Sequence, residues 1–238
     1  MSAQLLEIAG VMPESGREQA LPEVKTIRPS YRWSPEQFAR AQIRGLVQQV
    51  FSPNAARPVR QVVFSAIEPD TDVAGICRHV GESLAIDTLA SIAIVTAEPS
   101  RVTSGGILGP EVAAFGADFR QTALRQEAVR LRSNLWMLAG RERSDDCPGS
   151  VLLHRYLAEI RGEFEYSIVE GSPAGTTSEA VSLAQLADGM VLVLSARRTR
   201  RASALRIKQM LEESHVRILG TVLGDREFPI PDRIYRRL

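Results

Sequence analysis

Tyr166–Ser195 reads YSIVEGSPAGTTSEAVSLAQLADGMVLVLS, and the fold is decided in this run. YSIVE (Tyr166–Glu170) is a short apolar-centred strand. A loop with Gly171, Pro173 and Gly175 follows, then a helix over Ser178–Ala187. MVLVLS (Met190–Ser195) closes the run as a wholly apolar strand. A strand without polar alternation is buried on both faces, and a helix between two such strands returns the chain for parallel pairing.

The same alternation extends in both directions. VRQVVFS (Val59–Ser65), SIAIVTA (Ser91–Ala97), NLWMLA (Asn134–Ala139) and RILGTVL (Arg217–Leu223) read as further strands. Thr71–Ala85, Phe119–Leu131, Gly149–Gly162 and Thr199–Ser214 read as helices, and the Gly- and Pro-rich residues 98–118 as a long loop. Six apolar strands separated by helices imply a three-layer, doubly wound, mainly parallel α/β sheet. Ligands in such sheets bind beyond the carboxyl ends of the strands. Function is therefore expected in the loops after residues 65, 97, 139, 170, 195 and 223. Upstream, Pro13, Pro22 and Pro29 break residues 1–33 into a poorly ordered lead. Ser34 then reads as an N-cap with Pro35 at the first helical position, opening a single domain over 34–238.

Composition removes several classes. The 238 residues carry 29 Lys+Arg against 28 Asp+Glu, a net charge of +1, with 5% aromatics. That excludes a nucleic-acid binder working by bulk charge. Cys77 and Cys147 are too few for a disulfide scaffold and fit a reducing compartment. His79, His154 and His215 are scattered, without zinc-ligand spacing. No run of about 18 apolar residues and no signal-peptide pattern occurs, so the expectation is a cytoplasmic chain, peripheral at the inner face of the membrane if a partner holds it there. All but two of the basic residues are arginine; only Lys25 and Lys208 are lysines.

The lysine count matters at the first strand end. Strand, small-residue loop and helix frame a phosphate-binding loop, which needs glycines, a lysine and a Ser/Thr for magnesium. Ala66–Asp72 has no glycine and no lysine. It holds Glu68, Asp70 and Asp72, and either aspartate can cap the helix that follows. Two residues could stand in for the lysine: Arg78, which sits one to two turns along the following helix and is expected to point elsewhere, and Lys208 in a later helix, expected to be a solvated surface lysine. Glu98 and Glu170, at two strand ends, are a pair that can hold a metal or act as structural caps. ARRTRRASALRIK (Ala196–Lys208) packs arginines at 197, 198, 200 and 201, a patch for an anion or a partner, or a solvated helix start.

Several segments carry a family resemblance. FEYSIVEGSPAGTTSEAVSLAQLADGMVLVLSARRTRR (Phe164–Arg201), SNLWMLAG (Ser133–Gly140) and the ending VRILGTVLGDREFPIPDRIYRRL (Val216–Leu238) resemble the bacterial tyrosine autokinases of capsule and exopolysaccharide synthesis. These belong to the MinD/ParA-like branch of P-loop proteins, and the resemblance covers about residues 36–238. It implies a P-loop NTPase-like fold and nucleotide motifs that this chain has altered. At the Walker A-like loop (Glu68, Asp70, Thr71, Asp72, Val73) the family's lysine and Ser/Thr fall on Asp72 and Val73, or one residue later on Val73 and Ala74. Its second acidic motif falls on Thr96 and Glu98, and its Walker B-like aspartate on Glu170. Tyr235 stands in place of a tyrosine cluster as the one phosphosite candidate; Arg40 and Arg44 are off register for the assembly helix; Gly224-Asp225-Arg226 occupies the nucleotide-base position.

Removing the lysine and adding carboxylates reverses the local field that phosphoryl transfer needs. The expectation is a catalytically degenerate relative: a scaffold or regulator of polysaccharide polymerisation or export, without a cofactor or metal. Its partner would be the cytoplasmic part of a membrane chain-length or export protein, with a homodimer or pairing with an active homologue, and no nucleic acid. The alternatives are an active ATP/Mg-dependent tyrosine kinase or ATPase with a non-standard site, and a MinD/ParA-like positioning protein.

Overall fold

The computed structural model describes residues 34–52, 57–96, 123–140 and 149–225. In chain order these form α1 (Pro35–Val50), β1 (Gln61–Ala66), α2 (Val73–Asp87), β2 (Ile92–Thr96), α3 (Ala123–Glu127), β3 (Val129–Arg132), β4 (Leu135–Ala139), α4 (Gly149–Glu163), β5 (Tyr166–Glu170), α5 (Glu179–Leu186), β6 (Gly189–Ser195), α6 (Arg201–Glu213) and β7 (Ile218–Gly224). The sheet has seven strands in the order β3-β4-β2-β5-β1-β6-β7. Every pairing is parallel except β3 with β4. This is the α/β fold of the P-loop NTPases, of the MinD type.

Burial explains the strand composition. Every residue of β1 and β2 is buried, as strands covered on both faces must be. One core places Leu157 and Ile160 of α4, Leu183 of α5 and Leu211 of α6 against Val63, Val95 and Leu192. The other places Val47 and Val50 of α1 and Val80 and Leu84 of α2 against Val62, Ile94 and Val191. Gly81 allows α2 to lie close on β2: a Cβ there would stand 2.6 Å from Ile94 Cδ1. Gly189, at φ +155°, opens β6 where a Cβ would meet the Arg217 carbonyl oxygen at 2.5 Å.

Helix starts follow local chemistry. Ser34 caps α1 by accepting the Gln37 N–H at 3.3 Å, with Pro35 at the first helical position. Asn134 fixes the entry to β4: its side-chain amide donates to the carbonyls of Ala85, Thr88 and Ala90.

The expectation of a helix over Phe119–Leu131 is corrected here. Within the described residues it contains the short α3 and then β3, an antiparallel edge strand on β4. Two forces override the helical composition. VRLR alternates with period two, and Arg125 leaves α3 to lie 4.7 Å from the Trp136 ring centroid and 5.3 Å from that of Phe164. Arg130 then donates to the carbonyls of Arg132 and Ser133 and closes the turn. The lead over residues 1–33, the loop 98–118 and the chain end after Asp225 lie outside the described residues.

Candidate functional site

The chain leaves β1 toward β2 on one side of the sheet and reaches β6 on the other, so the carboxyl end of β1 is a topological switch point. The loops after β1, β5 and β6 meet there. The β5–α5 loop is pinned onto β1 by main-chain bonds: Gly171 N–H to the Phe64 carbonyl at 2.8 Å and Ala174 N–H to the Ala66 carbonyl at 2.8 Å. Fully buried Ser65 joins both segments, donating its hydroxyl to the Ser172 carbonyl at 2.7 Å and accepting the Ala174 N–H at 3.1 Å. Gly175 permits the contact, since a Cβ there would stand 2.4 Å from the Ile67 carbonyl oxygen.

Asp72 is the N-cap of α2. Its Oδ1 accepts the Gly75 N–H at 2.9 Å. The helix begins at Val73, which is buried and donates its N–H to the Thr71 carbonyl at 2.9 Å. The Thr71 hydroxyl is buried and has no hydrogen-bond partner among the described residues. The other two carboxylates of the loop reach across to the β6–α6 turn. Glu68 Oε2 accepts the Thr199 hydroxyl at 2.5 Å, and Thr199 Oγ1 in turn accepts the Ser195 N–H at 2.9 Å. Asp70 pairs with Arg198 at 3.1 Å, an exposed contact. The three carboxylates are thus met by three different groups of the chain: a helix amide, a hydroxyl and a guanidinium.

Beside them, Thr96 at the end of β2 donates its hydroxyl to Glu170 Oε2 at the end of β5, at 2.7 Å. Cys77 reads out the local field. It is fully buried in α2, and its thiol is pushed well up, first by burial and then by the negative charges of Glu170 and Asp72. Two carboxylates therefore act on one point of α2 next to its N-terminus.

A helix N-terminus favours an anion by about 0.3–1 kcal/mol. A phosphate about 4 Å from one carboxylate is repelled by roughly 4 kcal/mol at the effective dielectric of a protein surface. The loop itself carries no lysine ammonium to offset such repulsion; the guanidinium beside it is that of Arg198, paired with Asp70.

The structure brings together Glu68, Asp70, Thr71, Asp72 and Val73 with Arg198, and Thr96 with Glu170. Arg197, Arg200 and Arg201 are exposed on the turn into α6 and its first residue. Arg78 pairs with Glu82 and Lys208 with Glu212, each one turn along its own helix. Glu98 and Tyr235 lie outside the described residues. Among the described residues, no group of three or more His, Cys, Asp or Glu side chains is arranged to hold a metal ion. Sequence reasoning missed Thr199 and Ser65 as joints of the site. Their signals are slight: a threonine among arginines, and a serine late in an apolar strand.

No protein-family model matches the chain. Tyrosine-protein kinase CpsD of Streptococcus agalactiae is 31% identical over 71 residues, which is 30% of this chain and 31% of CpsD. The match therefore spans about 31% of the length of that curated relative. The kinase domain of VpsO superposes with a TM-score of 0.60 at 18% identity, covering 81% of this chain and 98% of that one. The kinase domain of the Escherichia coli tyrosine kinase ETK gives 0.60 at 13% identity, covering 81% and 79%. The MinD cell division protein of Aquifex aeolicus gives 0.53 at 14% identity, covering 74% and 73%. The chain shares its fold with bacterial tyrosine kinase domains and with MinD, and part of its sequence is similar to CpsD.

Proposed function

We propose that this chain is a catalytically silent relative of the exopolysaccharide tyrosine kinases, working as a scaffold or regulator of polysaccharide polymerisation or export. The observation that carries the reading is the self-satisfied loop after β1. Asp72 occupies the helix end where a P-loop protein seats a phosphate, while Glu68 and Asp70 are bound by Thr199 and Arg198. Phosphoryl transfer depends on positioning and on neutralising charge, and this loop supplies charge of the wrong sign. The partner in this reading is the cytoplasmic part of a membrane chain-length or export protein, which holds the chain at the inner face of the membrane. No bound nucleotide is needed.

The scaffold role is tested by reconstitution. The full chain, mixed with the purified cytoplasmic region of a chain-length or export protein from the same genome, is expected to form a complex whose affinity does not change when Mg-ATP is added. A complex that forms only with ATP contradicts the reading. So does phosphate transfer to tyrosine by the purified chain, which would support the reading of an active kinase.

A further inference from the structure

We propose that the groove between α1 and the outer side of β7 is the docking site of this chain's own residues 226–238. The groove measures about 860 Å³ and is lined by Phe38, Gln42 and Leu46 on one side and by Thr221 and Leu223 on the other. Its α1 wall is uncharged beyond the first turn: Phe38, Gln42, Gly45 and Gln49 recur every three or four residues along one face. A Cβ on Gly45 would meet nothing within 4 Å, so the middle of that wall is open. Across from it, β7 is an edge strand of the sheet. ILGTVLG (Ile218–Gly224) carries no charge and no proline, and Leu223 is 54% exposed. Such an edge is a template for pairing with another chain unless something covers it.

Position, charge and sequence select the occupant. Asp225 lines the groove, and residue 226 follows it directly, so the segment starts at the groove's own margin. A segment tethered there faces its site at an effective concentration on the order of a millimolar, which a free partner or a second copy has to exceed. Extended, residues 226–238 reach up to roughly 43 Å. The 16 residues of α1 span only about 24 Å. Among the described residues, the ionisable ones in the groove wall are Glu36 and Asp225, both acidic. The segment, REFPIPDRIYRRL, carries four arginines against Glu227 and Asp232, so the charges are complementary. Arg40 and Arg44 of α1 are not part of this wall, and Arg44 pairs with Asp87 at 3.9 Å. Phe228 and Ile230 each precede a proline, which favours extended backbone and turns both apolar side chains to one side. Pro229 and Pro231 have no N–H to bury unpaired against an apolar wall. Docking of this kind is intramolecular and independent of the scaffold reading, and it closes the sheet edge to pairing with another chain.

The test is limited trypsin digestion of the full chain, read by intact mass, with cleavage after Arg233 as the signal. In the native chain this cleavage is expected to be about tenfold slower than in Phe228→Ser/Ile230→Ser, and its rate constant is expected to stay the same when the chain is diluted. Gly45→Gln approaches the contact from the groove side and is expected to speed the cleavage several-fold. The open space around Gly45 and the better helix propensity of glutamine keep α1 folded in that variant. Hydrogen exchange in residues 39–49 is expected to rise several-fold in Phe228→Ser/Ile230→Ser and to stay unchanged in β2 and β4. Cleavage in either variant no faster than in the native chain overturns the proposal. So does protection that is lost on dilution, which would give the groove to a second copy. Neither result touches ATP-independent complex formation, the test of the scaffold reading.

Discussion

Asp72 and Gly75 fit each other at the start of α2. Asp72 Oδ1 accepts the Gly75 N–H at 2.9 Å, and a Cβ on Gly75 would stand 2.2 Å from Asp72 Oδ2. The carboxylate lies where a glycine leaves room for it. Asp72→Ala is expected to cost about 1 kcal/mol through loss of the cap. Gly75→Ala alone is expected to destabilise, because the clash displaces the cap and outweighs a gain in helix propensity of up to about 1 kcal/mol. In the Asp72→Ala background the same change is expected to stabilise. Urea unfolding of the four proteins measures this sign reversal; additive effects would show that the two residues do not share a site.

Thr199 ties the β1–α2 loop to the β6–α6 turn. Thr199→Val removes the hydroxyl that Glu68 accepts and leaves the Ser195 N–H without its partner. The expected loss is about 1–2 kcal/mol. Hydrogen exchange is expected to rise in residues 67–72 and 195–199 and to stay unchanged in β2 and β4. Uniform acceleration across the sheet would contradict a local clasp.

The opposite rim of the sheet carries the pH dependence. Asp188 Oδ2 accepts the N–H groups of Arg60 at 2.7 Å and Gln61 at 2.8 Å, and Oδ1 pairs with Arg161 at 3.0 Å. Burial alone pushes this carboxyl up; the two main-chain donors and Arg161 together outweigh it and hold the pKa below the usual aspartate range. A folded-state pKa below the unfolded one stabilises above the unfolded value, about 3.9, and the contribution is lost as pH falls through the folded value. Asp188→Asn is expected to cost about 2 kcal/mol at pH 7. The gap from the native chain should close as pH falls below about 4. A gap that is constant with pH would contradict the assignment.

Arg125 anchors the edge of the sheet. It stacks on Trp136 and Phe164 and pairs with Glu163. Arg125→Ala is expected to cost about 2 kcal/mol and to change Trp136 fluorescence, with Arg125→Lys intermediate. An unchanged spectrum in Arg125→Ala would contradict the stacking.

Much of this architecture was legible in the residues. The apolar runs of β1 and β2 require burial on both faces and have it, while β7 at the sheet edge is only half-buried, and Ser34-Pro35 announces α1. β3 was not legible, because an Arg/Glu-rich segment scores as a helix until Trp136 and Phe164 supply rings for Arg125. In the site, the three carboxylates of the loop and the capping role open to Asp70 or Asp72 could be read locally. The partners of Glu68 and Asp70 could not, since Thr199 and Arg198 lie more than a hundred residues away and only the parallel pairing of β1 with β6 brings them close.

The central claim is that the loop after β1 holds no nucleotide, because its own carboxylates occupy and charge the cradle. Isothermal titration of the full chain with Mg-ATP tests it most directly. The account predicts no saturable binding up to ~1 mM ATP. Saturable binding with a dissociation constant on the order of 1 µM would contradict it.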